Sequence, residues 1–257
     1  MWAGRLSWAL FSGALVVCLG CVPFTAAQLE GGGFAATDMD TVPRFFHAAG
    51  TLDNGLVMVS GGLGLQVVPP SLFSRNEISF YDPQVGLFSA QFAPLGGGAP
   101  VTPLLGTARS SHTQTTLHDG RVLITGGHVG ASGTAPGTAT DSVEIFDPQT
   151  GMVTSGDAMS AARAAHSATL LPNGKVVVAG GSTWQMFDPV SNTWSANMSL
   201  QRSRTGHAAV LLADFADSVG DDRVLLIGGS GNGSNTLELI NPATGSSALL
   251  GETLAIG

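Results

Sequence analysis

Cysteine is almost missing from this chain: among 257 residues there are two, Cys18 and Cys21, both close to the amino terminus. A domain freed of that segment has no disulfide, no thiolate nucleophile and no cysteine-rich metal site, so packing and strand pairing alone must hold it. Lysine is scarcer still, with Lys175 alone, and the formal net charge is −8. Binding along a phosphate backbone needs clustered cations, so nucleic acid is excluded as a partner. The sequence also lacks G-x-S-x-G, H-E-x-x-H and a phosphate-cradling glycine loop, which removes the commonest hydrolase, metalloprotease and nucleotide chemistries. Charged residues make up only 11% while hydrophobic ones make up 44%, enough for one large domain with a substantial core.

What is abundant is glycine, and it is placed in register. In residues 163–194, Arg163 and His166 precede a small and apolar run that breaks at Asn173-Gly174 and is followed by Val176-Val177-Val178. Two such runs joined through Asn-Gly predict a hairpin whose two central turn residues take positive φ. The second run meets Gly180-Gly181, where the strand must stop or bend. A third ends at Asp188-Pro189, where the carboxylate caps a turn and the proline withholds a donor. A fourth begins near Trp194, so one unit is four short antiparallel strands.

The unit recurs. Arg44 and His47 lead to Asn54-Gly55, Gly61-Gly62 and Asp82-Pro83; Arg109 and His112 lead to Asp119-Gly120, Gly126-Gly127 and Asp147-Pro148; Arg204 and His207 lead to Gly228-Gly229 and Asn241-Pro242. In the first three copies His stands 8 positions before the turn glycine and 14 before the glycine pair. The fourth loses this register through an acidic insertion at 213–222. There Asp214, Asp217, Asp221 and Asp222 read either as a solvated loop or as hard oxygen ligands for Ca²⁺, though the spacing matches no EF-hand.

The Arg-x-x-His pair, the glycine pair and the aromatic-Asp-Pro corner resemble the kelch repeat from about Arg44 to the end. The resemblance implies an all-β, kelch-type β-propeller of about four four-stranded blades, near 44–104, 105–159, 160–200 and 201–257. Kelch propellers usually close with more blades, so a four-bladed ring, an open ring that pairs with itself or a partner, and a truncated product are all consistent with it. Relatives of this fold include adaptors, lectin-like modules and enzymes. Galactose oxidase chemistry needs a Cys-Tyr radical, and here Tyr81 is the only tyrosine. A sialic-acid mutarotase would need a channel Glu, whereas Glu77, Glu144 and Glu238 fall in or near third strands; a carbohydrate-active enzyme of that type is the alternative function.

Residues 1–27 read as a signal peptide, with Arg5, an apolar run over 6–22 and small residues at Thr25-Ala26-Ala27. A lipoprotein acylated at Cys21 and an uncleaved anchor are the other readings. Residues 28–43 form a linker with a strand-like stretch at 34–39. The expected location is secreted or cell envelope, with membrane contact only through the first segment.

The copies differ most after their glycine pairs, with long loops at 63–77 and 128–141, a modest one at 230–236 and almost none in the third. These loops share one face, expected to be the binding face for a protein or glycan. Arg75, Arg109, His128 and Asn232 are the candidate contacts; no catalytic residue, metal or cofactor is read. The repeated Arg44, Arg109, Arg163 and Arg204 form either a cationic ring for an acidic ligand or ties between blades, and repetition favours ties. His47, His112, His166 and His207, and the glycine pairs, read in the same way as structural.

Overall fold

The computed structural model describes residues 40, 43–67, 70–133, 135, 137–213 and 222–253, all within the compact unit Asp38–Gly257. The amino-terminal segment, the strand-like stretch at 34–39 and the acidic insertion apart from Ala213 and Asp222 lie outside the described residues.

The described chain is all β, with no helix. Four antiparallel four-stranded sheets follow one another. The first is Ala48–Thr51, Val57–Ser60, Ile78–Asp82 and Leu87–Ser89; the second is Thr113–Thr116, Val122–Thr125, Val143–Asp147 and Met152–Gly156. The third is Ser167–Leu170, Val176–Asp188, Thr193–Trp194 and Met198–Arg204; the fourth is Ala208–Leu212, Arg223–Ile227, Thr236–Asn241 and Ser246–Thr253. In the third sheet one strand, Val176–Asp188, continues through the glycine pair although Gly181 takes φ +67°, and its pairing with Met198–Arg204 shifts register between Gly181 and Thr183.

The hairpin turns differ from expectation in one respect. Only the glycine takes positive φ, +85° at Gly55, +82° at Gly120 and +84° at Gly174, while the preceding Asn or Asp does not. The residue before it keeps ordinary geometry because its side-chain oxygen accepts the N–H two positions on, at 3.1 Å for Asn54–Leu56 and 3.0 Å for Asn173–Lys175. The loop is therefore one residue longer, a type I turn closed by a left-handed glycine. The corners behave as read: Asp82, Asp147, Asp188 and Asn241 each accept the N–H two residues ahead.

Strands two and three are apolar without alternation because both faces are covered. Met58, Ile78 and Phe80 of the first sheet meet Val122, Ile124 and Phe146 of the second. The intervening residues Leu123, Val143 and Ile145 turn the other way, onto Val176, Val178 and Phe187. Val177, Ala179 and Trp184 then meet Val224, Leu226 and Ile240. Each fully buried Val, Leu, Ile or Phe contributes roughly 1.5–3 kcal/mol, so these three layers hold the array together.

The glycine pairs sit where the sheets come closest. A Cβ on Gly126 would lie 2.5 Å from the Arg163 carbonyl and 2.8 Å from the His166 ring, and φ there is +59°. Neither neighbour can withdraw, since one is backbone and the other is packed. Gly126→Ala is expected to lower stability by about 2 kcal/mol or more, whereas Gly86→Asn, with open space around a corner glycine at φ +74°, should change it little. Chemical unfolding of both variants checks this; equal effects would refute the close-approach account.

The long connections after the first two glycine pairs are strands, where the sequence was read as loops. Leu63–Val67, Pro70–Ser74 and Ser132–Gly133 form one three-stranded sheet; Arg109–Ser110, His128–Val129 and Thr138–Ala139 form another. The two insertions thus pair with each other, which composition alone does not reveal.

Candidate functional site

Each repeated arginine is a clamp inside its own blade. Arg109 is fully buried; its Nη1 donates to the Gly126 and Ser142 carbonyls at 2.9 and 3.1 Å, and its Nη2 to Glu144 Oε1 at 2.6 Å. Arg204 makes the same set with Gly228, Thr236 and Glu238. Arg44 reaches Gly61, Glu77 and Ser79, with Asp40 supplying the carboxylate at 3.0 Å. Arg163 holds Gly180, Thr183, Gln185 and Asn197, all uncharged, and burial lowers its pKa to about 10. Extracting five donors in a fixed fork from one side chain is what suits arginine to joining a glycine-pair carbonyl with the start of the third strand.

The third-strand partner does more than neutralise. Glu144 also accepts the N–H groups of Gly106 and Thr107 at 2.7 and 3.1 Å, and Glu238 those of Gln201 and Arg202 at 2.6 and 3.3 Å. Gln185 takes the Ser160 N–H at 3.1 Å. One side chain therefore fixes the linker entering the blade. Sequence reading missed this role, although the signal was present: Ser79, Glu144, Gln185 and Glu238 each stand three residues before the corner Asp or Asn.

The histidines join successive sheets instead of converging. His112 Nε2 is 2.9 Å from Ser60 Oγ, His166 Nε2 is 3.0 Å from Thr113 Oγ1, and His207 Nε2 is 2.9 Å from Ser167 Oγ. Ser60 donates its own hydrogen to Gln114 Oε1 at 2.7 Å, so the His112 ring donates from Nε2. Burial, reinforced by Arg109 and Arg163 respectively, pushes the pKa values of His112 and His166 down to about 3, and burial beside Arg204 pushes that of His207 to about 4. All three are neutral at neutral pH.

Beside the latches runs a backbone relay. The second residue after each arginine has left-handed geometry, with φ of 54° at Phe46, 52° at Ser111, 49° at Ala165 and 62° at Gly206. The Ser111 N–H donates to the Phe46 carbonyl, Ala165 to Ser111 and Gly206 to Ala165, at 2.8, 2.9 and 2.6 Å. Among the described residues no matching bond joins Phe46 to Gly206.

Of the four candidate contacts, Arg75, Arg109 and His128 come together. The Arg109 N–H donates to the Arg75 carbonyl at 2.9 Å, and His128 pairs with Ser110 and Ala139. Arg109 itself offers a ligand nothing: its guanidinium faces inward and is 0% exposed. Arg75 is different. It lies 4.7 Å over the ring of Phe73 and 3.1 Å from Glu77, on the accessory sheet that carries exposed Leu65 and Phe73. Phe45 pairs with Leu63 at the edge of that sheet, leaving the neighbouring Phe46 60% exposed. Asn232 is exposed in the separate connection of the fourth sheet.

A family model described as Kelch motif matches residues 109–151. Its span runs from the clamp arginine of the second sheet through the latch histidine, both glycine positions and the Asp-Pro corner. The arginine, histidine and glycine-pair positions of that span recur in the other three sheets, each arginine donating to its glycine-pair carbonyl, and the match supports a kelch-repeat protein whose four-stranded sheets are consistent with kelch blades.

Proposed function

We propose that this chain is an exported, non-catalytic scaffold that binds a protein or glycan through the accessory sheet formed by its first two insertions. The observation carrying this reading is Phe73, partly exposed with the Arg75 guanidinium 4.7 Å over its ring, on a sheet that contributes little to the blade cores. Aromatic faces flanked by arginine are the usual composition of recognition surfaces. The repeated arginines, which a channel enzyme would use, are engaged within their blades, so binding is favoured over sugar chemistry.

Replacing 63–74 with a connection as short as that of the third blade tests the idea. The full chain and this variant are each presented to a glycan array and a displayed peptide library. Ligands retained by the full chain and lost from a variant that melts normally support the assignment. Equal retention by both, or turnover of an arrayed sugar, overturns it.

A further inference from the structure

The sheets meet at three junctions, and at each the hairpin turn of one sheet lies beside the proline corner of the next. Turns and corners sit at the opposite end of the strands from the accessory sheet, which leaves from the connection between strands two and three. What fills the space between turn and corner differs from junction to junction.

At the first junction the main chain fills it. Leu95 and Gly96 donate their N–H groups to the Pro148 and Gln149 carbonyls, both at 2.9 Å, and the space left beside Asp53 and Asp119 is only about 60 Å³. At the second a side chain fills it. Arg121, which follows the turn glycine, crosses to donate from Nη2 to the Pro189 carbonyl at 2.9 Å, while Asp119 of its own turn accepts from Nε at 2.8 Å. Either way, an N–H group reaches the carbonyl of the corner proline.

At the third junction Lys175 holds the position of Arg121, its carbonyl accepting the Leu171 N–H as that of Arg121 accepts the Leu117 N–H. Its ammonium does not cross but turns to Asp188 of its own sheet, Nζ to Oδ2 at 3.2 Å. Among the described residues no donor reaches the Pro242 carbonyl. A groove of about 310 Å³ stands there instead, lined by Leu171, Asn173, Lys175 and Met186 of the third sheet and by Asp222 and Pro242 of the fourth. Small-molecule pockets occupy roughly 300–1,000 Å³, so the space suits a compact ligand.

The lining repeats the chemistry that holds Arg121. That guanidinium is met by one carboxylate and one proline carbonyl, and the groove offers the same pair in Asp222 and Pro242. Both only accept, so the ligand must donate. A guanidinium brings several donors in one plane and is weakly hydrated, which suits it to the apolar surface of Leu171 and Met186. An ammonium is the poorer match, since the chain's own, on Lys175, points elsewhere.

We infer that the groove between the third and fourth sheets binds a guanidinium group, carried by a free small molecule or by an arginine side chain of a partner protein, with Asp222 and the Pro242 carbonyl as acceptors. The site is remote from the accessory sheet and stands whether or not that sheet binds a ligand.

Methylguanidinium titrated into the isotopically labelled full chain tests this, followed through the amide resonances of Lys175, Asp222 and Ala243, with methylammonium at equal ionic strength as the point-charge control. The expected result is saturable shifts with methylguanidinium and none with methylammonium. Binding should weaken about tenfold in Asp222→Asn, which removes a charged acceptor, and vanish in Lys175→Arg, whose own guanidinium takes the place that Arg121 takes at the second junction. The Lys175 side chain is 42% exposed, so this variant folds, and thermal melts confirm it for both. Free arginine and an arginine capped at both ends then separate the sources: tighter binding of the capped form assigns a partner protein, and tighter binding of the free form a small molecule. Shifts that do not saturate, an equal response to methylammonium, undiminished binding in either variant, or failure of both arginine forms to bind would each overturn the inference.

Discussion

Arg109→Ala should lower the unfolding free energy by about 3–5 kcal/mol, because it strands the buried Glu144 carboxylate without its counter-charge. The side chain is 0% exposed and makes four hydrogen bonds of 3.1 Å or less. Arg163→Ala removes the same clamp from the third blade, but its partners there are Gln185, Asn197 and carbonyls. No charge is left behind, and the expected loss is smaller, about 2 kcal/mol. A second substitution separates the effects. Adding Glu144→Gln to Arg109→Ala should recover part of the loss, since it removes the stranded charge while the amide oxygen still accepts one of the Gly106 and Thr107 N–H groups, which Glu144 holds on separate oxygens. Urea unfolding of the set measures this; equal losses for both arginines, with no recovery in the double variant, would show that the carboxylate is not dependent on Arg109.

Acid should weaken the blade junctions from about pH 6.5 downwards, before the carboxylates begin to titrate. His112 and His166 stay neutral in the fold down to about 3, through burial first and the adjacent guanidinium second. An unfolded histidine takes up a proton near 6.5. Below that value the unfolded chain binds protons that the folded chain refuses, so the stability these rings contribute is complete above about 6.5 and is lost progressively towards about 3. Each ring accounts for about 1.4 kcal/mol per pH unit, and the two together for about 3. His207, held near 4 and less buried, acts in the same direction. Against a typical domain stability of about 5–15 kcal/mol, this slope brings unfolding by roughly pH 4. Thermal melts between pH 7.5 and 4.5 should show a steep fall in Tm, and His112→Asn should lower the starting Tm while reducing the slope. A flat profile through this range would mean that the rings are reached by solvent.

The blades were legible because their determinants are local. Asn173-Gly174, Gly180-Gly181 and Asp188-Pro189 each dictate backbone geometry within a few residues, and their repetition marks the four sheets. The register of His166 with those glycines likewise pointed to a tie between blades, which it makes with Thr113, whereas Arg163, read the same way, ties strands within its own blade. The accessory sheet was not legible. Its pairing of Phe73 with Ser132 joins positions far apart in the chain, and neither segment has the alternation that announces a strand. Arg109 was placed among the contacts because it opens a strand near the presumed binding face, yet the carbonyls of Gly126 and Ser142 draw its guanidinium inward. Arg75 differs from it in lying within an insertion instead of heading a repeat. The turn at Asn54 was misjudged by one residue for a comparable reason, since a side-chain oxygen substituted for a backbone conformation.

The hydrogen-bonded series through Phe46, Ser111, Ala165 and Gly206 also bears on how such a chain can lengthen or shorten. Ser111, Ala165 and Gly206 each give their amide to the carbonyl of the one before, so each joint is the same as the next and none of these bonds uses a side chain. An in-frame duplication or deletion of one module would reproduce a joint that already exists, leaving the neighbouring modules with unchanged partners. Evolution can therefore alter the number of modules without redesigning the backbone part of the seams.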